Sequence, residues 1–167
     1  MRKRPSTSES PVAATRTTVQ GPLVIGWKEY VDFPDWRIRR VKVKIDTGAR
    51  TSALDVLSYD LRQTETGLVA DLRLALSRKH PERVTIVSVP VLETVVVRSS
   101  TGMLEQRPLI ETAIRLGPVT KRIQVTVTNR SCMLFRMIMG RKALEGDFVV
   151  DVSKKYLLRS WSVVRSP

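Results

Sequence analysis

The chain has 167 residues, 42% of them hydrophobic, and carries 29 Lys and Arg against 16 Asp and Glu, a formal net charge of +13. This size suits one domain with a real core, and no apolar run approaches the ~20 residues of a membrane-spanning helix, so no membrane partner is expected. One cysteine, Cys132, and one histidine, His80, exclude an internal disulfide and a usual zinc ligand set, so a cytoplasmic protein with no metal and no cofactor is expected.

Residues 1–21 read as a disordered basic tail. Arg2, Lys3, Arg4 and Arg16 stand among Ser, Thr and Pro, without the apolar segment of a secretory signal. One domain is expected over residues 22–160, ordered from near Leu23, and 161–167 reads as a C-terminal tail. Asp32-Phe33-Pro34-Asp35 reads as a turn. Val41, Val43 and Ile45 then alternate with Lys42 and Lys44, the period of a strand with one solvated face. Leu68 to Leu76 alternates in the same way, and Val84 to Val91 is rich in β-branched residues. Val95 to Arg98 and Leu104 to Glu111 flank a Ser99-Ser100-Thr101-Gly102 turn and read as a hairpin. After a turn at Gly117-Pro118, Ile123, Val125 and Val127 alternate with polar residues. Arg141 to Glu145 reads as a short helix stopped by Gly146, and Phe148 to Val152 as a late strand. Many short strands joined by turn residues predict a mostly β, closed or sandwiched structure.

Chemistry concentrates in Lys44-Ile45-Asp46-Thr47-Gly48-Ala49-Arg50-Thr51-Ser52-Ala53-Leu54. A strand runs straight into Asp46, Thr47 and Gly48 make a tight turn, and Thr51 to Leu54 starts another strand. Such a carboxylate sits on rigid backbone yet is exposed, and Gly48 permits close approach of backbone or ligand. Asp-Thr-Gly is also a common turn tripeptide and carries no catalysis by itself. Its context adds to it: Met137-Ile138-Met139-Gly140-Arg141 is an apolar strand that ends in Gly and runs into the short helix.

This order resembles the retropepsin half of the aspartic proteases. Gly26 to Tyr30, Lys44 to Leu54, Arg98 to Gly102 with Arg107-Pro108, Thr128-Asn129-Arg130, and Phe135 through Leu144 together resemble one bacterial family over residues 23–158. That family was once labelled ATP-dependent zinc protease and later regrouped as retropepsin-like aspartic endopeptidases. The resemblance implies a retropepsin-like closed β-barrel with one short C-terminal helix, Asp46 as the catalytic carboxylate, and Thr47, Gly48 and Ala49 as the active-site loop. It also implies that the strand Ile138, Met139, Gly140 packs behind that loop. The family usually has His after Ala-Leu, where this chain has Asp55. A zinc mechanism is then not credible, and no Gly-rich phosphate loop supports ATP binding.

The chemistry implied needs two carboxylates sharing one proton. The chain has one Asp-Thr-Gly, so a symmetric homodimer acting on a peptide or protein substrate is expected, with each copy supplying Asp46. Ser99, Ser100, Thr101 and Gly102 are flap candidates, or else an ordinary surface hairpin. Arg50 and Arg141 either shape the substrate site or pair with Glu. Trp27, Trp36 and Trp161 are scattered, which fits packing better than base stacking, and nothing brings Cys132 to His80. A second function class stays open. The high positive charge suits a retropepsin-fold binding module with little or no catalysis, held to RNA, ribosomes or acidic proteins by its basic surface. Acidic peptide substrates would reconcile both readings.

Overall fold

The computed structural model describes residues 21–77, 79–99, 101–129 and 134–163. The expected tail up to residue 20, the flap residue Ser100, Cys132 and residues 164–167 lie outside the described residues. The strands in chain order are β1 (Leu23–Gly26), β2 (Lys28–Phe33), β3 (Ile38–Ile45), β4 (Ser52–Asp55), β5 (Ser58–Thr64), β6 (Gly67–Leu74), β7 (Thr85–Arg98), β8 (Leu104–Leu116), β9 (Val119–Thr128), β10 (Met137–Met139) and β11 (Phe148–Asp151). The one α-helix among the described residues, α1 (Arg141–Leu144), follows β10 directly. No helix is long and apolar enough to cross a membrane among these residues.

Six strands close on themselves in the order β2-β3-β10-β4-β9-β8, with β8 returning to β2 through the pair Asp32 and Arg115. The fold is the closed, mostly β barrel expected. From β8 the sheet continues outward through β7 and β6 to β5, and β1 pairs in parallel with β11. The alternation in β3 puts Val41, Val43 and Ile45 inside and Lys42 and Lys44 outside. They meet Leu54, Ile110, Val125, Val127, Met137 and Met139 in one buried cluster, where each large side chain contributes about 1.5–3 kcal/mol.

Two bulges depart from simple alternation. Val91 and Glu93 on β7 face Ile110 and Leu109 on β8, so Leu92 is an extra residue. What the sequence divides into Val84 to Val91 and Val95 to Arg98 is therefore one 14-residue strand, bent where the period slips. On β3, Ile38 and Val41 face Phe33 and Val31, so three steps oppose two, and Arg39 and Arg40 are both exposed. β6 ends at Leu74, two residues before the expected end, because Ala75 and Leu76 leave the ladder for the core. The Asp32 to Asp35 segment is not wholly a turn: Asp32 and Phe33 finish β2, and a 3-10 turn spans Pro34–Trp36.

Buried Glu29 ties the end of β1 to the segment at Leu157 and Leu158. Its carboxylate accepts N–H bonds from Gly26 at 2.8 Å, Leu157 at 2.8 Å and Leu158 at 3.3 Å. Trp36 stacks on Phe33, with ring centroids 4.8 Å apart, and packs against the core.

Candidate active site

β3 delivers Asp46 to the end of the barrel, and the loop from Thr47 to Thr51 returns the chain into β4. β10 runs between these two strands, parallel to β3 and antiparallel to β4, so it passes behind the loop. Its last carbonyl, on Met139, accepts the Asp46 N–H at 2.9 Å. The carboxylate is fixed by its own turn: Asp46 Oδ1 accepts the N–H of Gly48 at 3.1 Å and of Ala49 at 3.3 Å. The start of α1 closes the loop from outside, as Arg141 N–H donates to the Ala49 carbonyl at 2.8 Å and Lys142 N–H to that of Arg50 at 3.1 Å.

The packing behind this loop depends on Gly140. An added Cβ would lie 2.7 Å from the Thr51 carbonyl carbon and 2.9 Å from the Ala49 oxygen, so only a residue without a side chain lets backbone approach backbone there. Gly140 N–H also donates to Ser52 Oγ at 3.1 Å.

Asp46 lines a cleft of about 830 Å³ together with Gly48 and Ala49. The β7–β8 hairpin forms the opposite wall beyond the Leu92 bulge, through Glu93, Val95, Val97 and Ser99. The flap candidates divide. Ser99 lines the cleft, whereas Thr101 and Gly102 sit exposed at the hairpin tip, with Gly102 at φ +84°. The tip is closed by Ser99 N–H donating to the Met103 carbonyl at 2.8 Å. Ile138 lines the cleft floor, and Met139 points into the core.

The sequence named Arg50 and Arg141 without choosing between shaping the substrate site and pairing with Glu, and gave Arg107 no role of its own. Arg141 clamps the loop, its Nη1 donating to the carbonyls of Thr47 at 2.9 Å and Gly48 at 3.0 Å, while Arg50 lines the cleft. Buried Arg107 also lines it, with its guanidinium on Glu105 Oε2 at 2.7 Å. The spacing of Glu105 and Arg107, two apart on one strand face, was the available signal. Arg98 and Lys142 complete a wall of four cations, against Asp46 and Glu93 as the acids. Asp55, where a His was expected from the resemblance, is buried and accepts Arg136 Nη1 at 2.6 Å. Among the described residues no three His, Cys, Asp or Glu side chains converge as a metal site, so the zinc of the older label has no ligand set there.

The model of the RimB-like family, described as retropepsin-like aspartic endopeptidase RimB, matches residues 24–160. The chain belongs to this family. It is also similar to proteins named probable alpha-L-glutamate ligase: 28% identical over 128 residues to one from Desulfotalea psychrophila, covering 77% of this chain and 28% of that one. To another, from Parasynechococcus marenigrum, it is 31% identical over 134 residues, again 77% and 28%. The chain thus spans under a third of the length of these relatives. A crystal structure of a Legionella pneumophila protein of unknown function shares the fold, with a TM-score of 0.68 at 19% identity, covering 81% of this chain and 98% of that one.

Proposed function

We propose that this RimB-like chain is an aspartic endopeptidase that acts as a two-fold homodimer on acidic peptides. The observation that carries the reading is Asp46, held by backbone at a strand end and opening on a cleft beneath a β-hairpin. Thr47 and Gly48 are exposed at the loop tip, where a second copy would meet the first about a two-fold axis and bring the two Asp46 carboxylates together.

Two carboxylates about 3 Å apart cannot both ionise, so one holds a proton and the other does not. The ionised one takes a proton from a bound water as its oxygen attacks the scissile carbonyl carbon. The protonated one gives its proton to the carbonyl oxygen, forming a gem-diol. Breaking the C–N bond moves a proton to the leaving amine, and the pair again holds one proton. Arg50, Arg98 and Lys142 favour acidic side chains in the cleft, and relatives named for glutamate ligation are consistent with a glutamate-rich substrate.

The test is cleavage of a peptide panel by the purified chain, with Asp46→Asn as the control. Loss of cleavage with an unchanged melting curve supports the assignment, and undiminished cleavage by Asp46→Asn refutes it. Equal rates on neutral and glutamate-rich peptides would refute the acidic preference alone.

A further inference from the structure

A second concavity, of about 490 Å³, shares no lining residue with the Asp46 cleft. It is walled by the N-terminal half of β3, some 20 Å along that strand from Asp46 at ~3.3 Å per residue, and by the segment leading into β7. Six exposed cations line it: Arg37, Arg39, Arg40, Lys42, Lys79 and Arg83. No carboxylate lines it, and none of the six side chains has an ion-pair partner among the described residues. Of the nearby acids two are held by other arginines, and the third, exposed Glu82, attracts Arg83 alone among the six. Asp32 accepts Arg115 Nη2 at 2.6 Å, Glu82 lies 3.3 Å from His80, and Asp55 holds Arg136.

This arrangement is maintained against local cost. Arg37 and Arg40 have φ of +55° and +58°, in the left-handed region that side chains other than Gly rarely adopt. The bulge at Arg39 and Arg40 turns both arginines outward where alternation would bury one, and buried Asp32 Oδ1 holds it by accepting the Arg40 N–H at 2.8 Å. Arg40 then lies 4.7 Å over the Tyr30 ring, which itself stacks on Tyr156 at 4.7 Å.

We propose that this groove binds the phosphodiester backbone of a single-stranded nucleic acid. Like charges gathered without carboxylates gain from a dense polyanion that releases its counterions on binding. Arginine forks match phosphate oxygens, and a guanidinium set over a tyrosine ring offers bases a surface to stack on, which an acidic peptide without rings cannot use. The inference is independent of the peptidase reading, since it uses none of the cleft residues.

The experiment is fluorescence anisotropy of the full chain with a labelled 20-nucleotide mixed-sequence RNA, and the DNA of the same sequence, between 50 and 300 mM salt. The variant Arg39→Ala/Lys42→Ala/Arg83→Ala should weaken binding roughly tenfold or more. The slope of log affinity against log salt should become shallower by about 2, at ~0.7 per phosphate contact for a single strand. Arg40→Gly removes charge and stacking while relieving the backbone, so binding should fall with no drop in melting temperature, which separates contact loss from unfolding. The RNA and DNA arms identify the nucleic acid. The proposal is overturned if wild type binds neither oligonucleotide at 50 mM salt, or if the triple variant keeps the wild-type affinity and slope. It is equally overturned if a glutamate peptide of equal charge displaces the oligonucleotide as well as unlabelled RNA does.

Discussion

A Cβ placed on Gly140 would stand 2.7 Å from the carbonyl carbon of Thr51, 2.8 Å from its oxygen and 2.9 Å from the oxygen of Ala49. All three are backbone atoms of the Asp46 loop, so none can swing aside. Ordinary contact begins near ~3.4 Å, and Gly140→Ala must therefore push the loop back by about 0.5–0.7 Å. Gly140 has φ −85° and ψ 173°, which Ala adopts freely, so the cost is steric. Overpacking of this kind costs about 1–3 kcal/mol, offset by the ~0.4–1 kcal/mol that Ala gains through a less flexible unfolded chain. A net loss of about 1–2 kcal/mol lowers the melting temperature by about 2–8 °C in a chain of this size. Peptidase activity should fall further than stability, by about tenfold or more in kcat, because a displaced loop misplaces Asp46. Thermal melts and initial rates on a glutamate-rich peptide measure both. An Ala variant with wild-type melting temperature and wild-type kcat would refute the claim that backbone packing behind the loop positions the carboxylate.

Glu29→Ala should cost about 3 kcal/mol or more, read as a lower urea midpoint, because three backbone N–H groups lose their acceptor where two of those bonds are buried. Asp55→Ala should cost about 3–5 kcal/mol by leaving the Arg136 guanidinium, only 18% exposed, without its buried partner; a loss below ~1 kcal/mol in the same urea titration would contradict this. On β6, the hydrogen bond from Arg62, followed by that from Ser88, holds the Asp71 carboxyl below its usual range. A lowered folded value means the stabilisation is complete above the unfolded value near ~3.9 and disappears as the pH falls through the folded one. Asp71→Asn should therefore flatten the loss of stability below about pH 4, as followed by melting temperature against pH.

The barrel and the loop were legible because β3 announces itself by strict alternation into Asp46, and because β10 and α1 are marked by an apolar run ending at Gly140. β2 and β5 were not legible. Buried Glu29 and Asp32 break the pattern of β2, and β5 is an outer edge strand, largely exposed, with only Tyr59 and Leu61 as apolar positions on one face. The single length of β7 was hidden by its bulge at Leu92, which shifts the period within one strand. At the site, Arg107 had no role assigned and that of Arg141 stayed open between two, because both depend on neighbours distant in sequence: the Asp46 cleft for one, the Thr47 and Gly48 carbonyls for the other. The basic groove was readable only as a charge cluster from Arg37 to Lys44. Its shape comes from a bulge and two left-handed arginines, which no periodicity foretells.

The central claim is that one site takes Asp46 from each of two chains. It is tested most directly by mixing wild type with an excess of Asp46→Asn subunits, allowing exchange, and measuring cleavage per wild-type chain. If pairing is required, a ninefold excess leaves about one-tenth of the original activity, because most wild-type chains then face a partner without a carboxylate. Activity per wild-type chain that stays constant across the mixing series would contradict the account. It would move the second acid into the same chain, where Glu93 already lines the cleft.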